Sequence, residues 1–304
     1  MIRSFVAMPF VLAAGVAFAD VPRVVTDIAP VHSLVARVMD GVGVPDVILP
    51  AGASPHDHAM RPSEARLLSD ADIVIWVGPE LTQWLEAPID TLAPNAVRLG
   101  LSDLEGVVAL PIREGGAFGE HDSEDEAAHD DHGAEGAVDP HLWLDPQNGL
   151  VWIEAIAGAL SALDPDNAAA YAANARSAAE EISAEADRIA ALMGAAPQAY
   201  LAFHDAFQYA ETWLGITGVG AIQSGHAVEL GPAQLAGLRE QVLLQGVTCV
   251  LAEPQFNSGL VEAVMGEGAG RIVTIDPLGG EFEVGPSLYL AVLDQFSEIP
   301  KLCD

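Results

Sequence analysis

Three histidines and one aspartate, far apart in sequence, each stand at or just beyond the end of a short apolar run. They are His56 in Ser-Pro-His-Asp-His, His141 in Asp-Pro-His-Leu-Trp-Leu-Asp-Pro, His204 in Ala-Phe-His-Asp-Ala-Phe and Asp276 in Thr-Ile-Asp-Pro-Leu-Gly. Three imidazoles and a carboxylate can close a tetrahedral shell around Zn2+, and a shell closed by protein leaves no position for a reacting water. That chemistry favours holding a metal over transforming a substrate with it. Taken singly, each residue says little. A histidine beside a strand is commonly a surface or core residue, and aspartate before proline is a common turn former. Residue types alone therefore leave two readings open, one shared site or four separate roles.

The elements that would position these residues alternate along the chain. Short apolar runs predict strands at Arg23–Thr26, Asp46–Leu49, Ile73–Val77 and Ala96–Leu99 in the first half. In the second half they predict strands at Ala199–Phe203, Gly218–Ile222, Thr248–Ala252 and Arg271–Ile275. Helical patterns such as Pro30–Met39, Ser63–Ser69, Pro232–Leu244 and Ser258–Met265 lie between them. The alternation predicts an α/β fold of two lobes with largely parallel sheets flanked by helices. Ligands of such sheets gather beyond the carboxyl ends of strands. His204 and Asp276 directly follow strands, His56 follows the turn Pro50-Ala51-Gly52, and His141 lies in a Pro-bracketed segment. Two come from each half, so a shared metal would lie in the cleft between the lobes.

One long helix separates the halves. Asp164 can cap it and Pro165 suits its first turn. Tyr171, Ala175, Ala178, Ile182, Ala186, Ile189 and Met193 follow at helical steps, and Gly194 and Pro197 end it. A rod of that length spans about 45 Å. The resulting organisation is residues 20–163 as the first lobe, 164–194 as the linking helix and 195–304 as the second lobe.

Residues 1–19 read as a secretory signal, with Arg3, the apolar stretch Phe5–Phe18 and the small-x-small site Ala17-Phe18-Ala19. No cysteine stands near that site to take a lipid. The expectation is a soluble, exported chain of roughly 285 residues, enough for two cores. Losing Arg3 moves the net charge from −32 to −33. Such a surface repels nucleic acid and anionic lipid and attracts cations. The two cysteines, Cys249 and Cys303, most simply form one disulfide in an exported protein, and their spacing matches no zinc knuckle.

The segment Glu114–Gly136 is different in kind. It carries His121, His129 and His132, nine carboxylates and no Lys or Arg, a composition expected to stay loosely ordered. It suits auxiliary zinc collection, with His226 as a further candidate, and it equally suits a solvated acidic insert. His58 would share a side with His56 in an extended segment and competes with it as first ligand. Asp205 and Glu253 are candidates to orient ligand imidazoles, and His32 reads as non-ligating.

The runs Ala-Ser-Pro-His-Asp-His-Ala-Met-Arg-Pro-Ser-Glu, Asp-Pro-His-Leu-Trp-Leu-Asp-Pro, Phe-His-Asp-Ala-Phe-Gln-Tyr, Ala-Glu-Pro-Gln-Phe and Ile-Asp-Pro-Leu-Gly resemble the signatures of ZnuA-type zinc-binding proteins. These are the periplasmic solute-binding components of bacterial zinc ABC importers. The resemblance runs in order along nearly the whole mature chain, and includes the acidic His-bearing loop and the cysteine pair. It implies Zn2+ as cargo, His56, His141, His204 and Asp276 as ligands, an ABC permease as partner, a monomer in the periplasm, and small lobe movements. Whether a periplasmic zinc chaperone loads the site stays open. The third position bears on the metal, because manganese-binding relatives resemble this pattern with Glu where this chain has His204, and imidazole suits zinc. Some zinc members carry Glu immediately before the first His, where this chain has Pro55.

Two rivals remain. A manganese-binding receptor of the same superfamily would differ in metal preference. A secreted zinc hydrolase would need an open coordination position, and the chain has neither His-Glu-x-x-His nor a Gly-x-Ser-x-Gly elbow.

Overall fold

The computed structural model describes residues 21–113, 116–118, 137–193, 199–254, 258–266 and 270–303. The stretch expected to be a secretory signal, the histidines His121, His129 and His132, and Gly194 and Pro197, the expected end of the long helix, lie outside the described residues.

Two sheets organise the chain. The first contains β1 (Val24–Thr26), β2 (Asp46–Val47), β3 (Ile73–Trp76) and β4 (Val97–Gly100), all parallel, in the order β2-β1-β3-β4. The second contains β5 (Gly116–Ala117), β6 (Ala199–His204), β7 (Thr217–Gln223), β8 (Cys249–Ala252) and β9 (Arg271–Thr274), in the order β5-β7-β6-β8-β9. Here β6 to β9 are parallel and β5 joins antiparallel on β7. Leaving β5 aside, both sheets place their second strand outside their first and then add the third and fourth. His204 ends β6 and Asp276 lies just past β9, both at carboxyl ends as expected. All eight predicted strands form. The inner ones, such as Ile73–Trp76 and Cys249–Ala252, are buried throughout, as apolar runs inside a helix-covered parallel sheet must be. The edge strands β4 and β9 are largely exposed.

A ninth strand has no counterpart in the sequence pattern. Gly116–Ala117 lies in the acidic stretch expected to be loose, yet it pairs with Gly220 and Ala221 of β7. Gly220 makes room for it, since a Cβ there would meet the Gly116 carbonyl oxygen at 2.4 Å. The backbone on either side of the insert is also fastened. Pro111 and Val138 form an antiparallel bridge, Ile112 N–H donates to Ala137 at 3.0 Å, and Asp139 N–H donates to Leu110 at 2.9 Å.

Helices cover the sheets. The first three, α1 (Ala29–Val38), α2 (Pro62–Asp70) and α3 (Pro79–Leu92), each have a proline in the first turn. Next, α4 (Pro146–Leu163) begins at Asp145, whose side chain accepts from Gln147 N–H at 2.8 Å. The long helix, α5 (Ala168–Leu192), starts later than the expected Asp164 cap. Pro165–Asn167 forms a 3-10 turn instead, and the Asp164 carboxylate accepts from the Asn167 amide and the Tyr171 hydroxyl. The 25 residues of α5 span about 37 Å. Tyr171, Ala175, Ala178, Ile182 and Ile189 are buried along it, the stripe expected from their spacing. The second half adds α6 (Gln208–Leu214), α7 (Pro232–Gln245), α8 (Ser258–Met265) and α9 (Leu288–Asp294).

The long helix holds elements from both ends of the chain. Arg37 of α1 pairs with Glu181, and Asn174 donates to the carbonyls of Val38 and Asp40. Arg188 pairs with Asp294 at the end of α9. The chain end then returns to the second sheet, where the Cys249–Cys303 disulfide forms as expected. Among the described residues no helix is long and apolar enough to cross a membrane.

Candidate metal centre

His56, His141 and His204 converge. Each offers one nitrogen such that all three lie within 4.8 Å of one another. Ring centroids are 5.3 Å apart for His56 with His141, 5.3 Å for His56 with His204, and 4.9 Å for His141 with His204. Among the described residues this is the one group of three or more potential ligands so arranged.

The nitrogens offered follow from what holds the others. His141 Nδ1 is 2.8 Å from Asp139 Oδ1, which also accepts the His141 backbone N–H at 3.0 Å. His204, the last residue of β6, has Nδ1 2.8 Å from Glu253 Oε1 and Nε2 3.3 Å from the Gly225 carbonyl. A carboxylate on Nδ1 fixes the tautomer, which in His141 leaves Nε2 for a metal; in His204 a metal on Nε2 would displace the Gly225 contact and its proton. His56 differs. Its Nε2 is buried with no partner, and among the described residues no carboxylate holds its ring. An unpartnered buried nitrogen is costly unless something else occupies it, and a dication between the three rings would do so.

Electrostatics keep the site ready for a cation. Burial, and then repulsion from His141, His204 and His226, pushes His56 down to about 2. Burial also drives His141 well below its ordinary value. Burial would lower His204 too, but the Glu253 carboxylate outweighs it and raises this imidazole above the usual value. Burial works against the charge of Glu253, yet the neighbouring His204 holds it below the usual carboxylate value. Burial raises Asp139 to about 7 against the pull of the His141 N–H. At neutral pH two of the three imidazoles are therefore unprotonated and free to bind metal.

Asp276 stands apart from this cluster. Its Oδ1 accepts from Leu278 and Gly279 N–H, both at 3.0 Å, and its Oδ2 accepts from Gly280 N–H at 2.6 Å. Its own N–H and carbonyl are clasped by the Gln295 amide at 2.9 Å each. Gly280 lets the turn close, as a Cβ there would sit 3.2 Å from Gly52 N and 3.3 Å from Asp276 Oδ2.

The remaining sequence candidates fall elsewhere. His58 does not join the cluster; its Nε2 is bonded to Glu64 at 2.9 Å and its ring lies 5.0 Å from that of Trp84. His226 is exposed, with its ring centroid 6.4 Å from that of His56. His32 is buried on the Pro45 carbonyl. Asp205 orients no imidazole, because its carboxylate is taken by Arg113, which also binds Glu211 and stacks on Phe118. Sequence reasoning misses Asp139, although its place two residues before His141 is one from which a carboxylate can reach both the N–H and the ring. Arg113 and Trp84 give no sequence signal.

Hydrogen bonds, most of them buried, join the His141 segment to the second half of the chain. Trp143 Nε1–H donates to the Pro277 carbonyl at 2.7 Å, and the Tyr289 hydroxyl donates to the Trp143 carbonyl at 2.9 Å. Trp213 Nε1–H donates to Leu144 at 2.9 Å, and the Tyr209 hydroxyl donates to the Asp139 carbonyl at 2.9 Å. The segments bearing His141 and His204 are thus tied into one block.

Comparison with known proteins agrees with this architecture. A family model described as zinc-uptake complex component A, periplasmic, matches residues 24–298. The high-affinity zinc uptake system protein ZnuA of Paracoccus denitrificans is 39% identical over 301 residues, covering 92% of this chain and 91% of its own. The protein of the same name from Brucella abortus is 35% identical over 303 residues, with the same coverage of 92% and 91%. In structure, a crystal structure of ZnuA superposes with a TM-score of 0.75 at 22% identity, covering 92% of this chain and 100% of that one. The Mn2+ complex of the solute-binding protein FpvC from Pseudomonas aeruginosa gives 0.74 at 21% identity, covering 92% and 98%.

Proposed function

Because this chain belongs to the family of periplasmic zinc-uptake components, we propose that it captures Zn2+ outside the inner membrane and delivers it to the permease of an ABC importer. The observation that carries this reading is the convergence of three imidazole nitrogens, one of them buried and unpartnered. In this reading His56, His141 and His204 bind through Nε2, with Asp139 and Glu253 behind the second and third.

Asp276 is the fourth ligand in this reading; it lies outside the three-histidine cluster, so the bound metal must draw its turn toward the imidazoles. A carboxylate has about four lone-pair sites, and three N–H groups occupy three of them. The remaining one, on Oδ2, is available to a cation. Four protein ligands leave no water to activate, so the protein is a carrier and not a hydrolase. It works as an exported periplasmic monomer with residues 1–19 removed, two lobes at 20–163 and 195–304, and the linking helix across both. His226 and the histidines of the insert act as auxiliary zinc collectors.

A manganese carrier of the same superfamily is the second reading, favoured by the fold shared with the Mn2+ complex. Three imidazoles argue against it, since oxygen donors suit manganese better. A chelator-competition titration with Zn2+ and Mn2+, with stoichiometry read by native mass spectrometry, decides between them. One tight zinc on a monomer with much weaker manganese is expected. Tight manganese, or no tight metal, overturns the proposal.

A further inference from the structure

Among the described residues, His56 is the one imidazole of the three that no carboxylate orients. The loop on either side of it is held instead. Immediately before it, the Pro55 carbonyl accepts the Trp84 indole N–H at 2.8 Å. Two residues after it, the His58 ring packs against the Trp84 indole at 5.0 Å, edge to face. The His58 Nε2–H donates to Glu64 Oε2 at 2.9 Å. Glu64 is itself fixed, because it accepts Arg61 N–H at 2.7 Å and closes the first turn of α2. Trp84 is carried by α3, so two helices grip one loop. The His58 and Glu64 side chains are only 7% and 8% exposed, which places this clip in a largely dry setting.

All members of the clip belong to the first half of the chain. The His141 segment, by contrast, is bonded to Tyr209, Trp213, Pro277 and Tyr289, all from the second half, which also carries His204. His56 is therefore the ligand mounted on a separate arm.

We propose that Trp84 and the His58–Glu64 pair are positioning residues for His56, clamping its loop in place of the missing carboxylate and so setting how long the metal stays bound. The inference rests on the zinc-carrier reading. Trp84 holds the backbone just before the ligand, and His58 holds it just after. Loosening either lets His56 withdraw while His141 and His204 stay in place, so the effect falls on the dissociation rate.

The test uses the protein from Asp20 onward, as wild type, Trp84→Phe, His58→Leu, His58→Gln and Leu85→Ala. Zinc dissociation is followed by chelator chase, and the coordination of bound Co2+ by its visible absorption. Trp84→Phe and His58→Leu should each speed dissociation about tenfold, the lower end for a lost supporting partner, while one metal per chain is retained. Their Co2+ spectra should change. His58→Gln keeps an N–H toward Glu64 and should retain most of the wild-type rate. Leu85→Ala, a cavity in the same helix as Trp84, should lower Tm without changing either readout. Folded Trp84→Phe and His58→Leu proteins with wild-type rates and spectra would overturn the inference. So would Leu85→Ala speeding release as much as they do. A wild type without tight zinc would instead sink the carrier reading itself.

Discussion

Replacing Glu253 by Gln tests whether the charge behind His204 matters for binding. Glu253 Oε1 is 2.8 Å from His204 Nδ1, and its side chain is 16% exposed. Glutamine can keep an oxygen in that place and accept the same proton, so the ring orientation survives while the negative charge is lost. Leucine removes both. Loss of such a partner typically weakens metal binding by about 10- to 100-fold, which is roughly 1.4 to 2.7 kcal/mol. Glu253→Gln is expected near the lower figure and Glu253→Leu near the upper. Asp139→Asn should cost less than Glu253→Gln at pH 7, because burial raises Asp139 to about 7 and its charge is only partly present there. The assay is competition with a calibrated chelator, with Tm measured on the metal-free proteins. Wild-type zinc affinity in both folded Glu253 variants would refute the idea that this carboxylate supports the third ligand.

Zinc affinity should fall as pH drops through the raised value of His204, because metal requires the neutral ring, with about one proton displaced per zinc. A displacement of three protons, read from the slope of affinity against pH, would contradict the depressed values of His56 and His141. For the metal-free fold, those two depressed histidines refuse protons that the unfolded chain takes up below about pH 6.5, so stability is lost there as pH falls. His204 has the opposite sign: its contribution is present below about pH 6.5 and lost as pH rises through its folded value, and urea unfolding against pH measures the balance. Reducing the Cys249–Cys303 disulfide, which closes a sequence separation of 54, should cost on the order of 4 kcal/mol by the chain-entropy account, visible as a lower urea midpoint. Deleting residues 119–136 should leave one tight zinc. Extending the cut through Gly116–Phe118 should also lower Tm, since it strips β5 from β7 and Phe118 from Arg113.

The strands are legible in sequence because each depends on a local pattern, whereas the three histidines are only candidates on local grounds and their grouping is what the family resemblance implies. Arg271–Ile275 is an apolar run ending at Asp276, and Ala199–Phe203 is one ending at His204; a parallel strand in a covered sheet needs little more. Gly116–Ala117 is not legible. Two small residues inside an acidic stretch have no period, and their pairing is set by Gly220, far along the chain. The start of the long helix is misread because Asp-Pro is a good helix opening on local grounds. The Asn167 and Tyr171 side chains claim the Asp164 carboxylate instead. The cradle of N–H groups around Asp276 follows from the turn geometry at Leu278–Gly280, which residue types suggest but do not determine. The separate grip on the His56 loop depends on Trp84, 29 positions after Pro55, and only the fold brings it there.

The fastening on either side of the acidic insert has a consequence for how this kind of chain can diverge. Pro111 and Ile112 are stitched to Val138 and Ala137, and Asp139 to Leu110, before the backbone reaches His141. Length gained or lost between the stitches is therefore not transmitted to His141. Genes could expand, shrink or recolour this insert through many small changes, each nearly silent for the centre beside it. Its histidines and carboxylates can then change in number without moving His141.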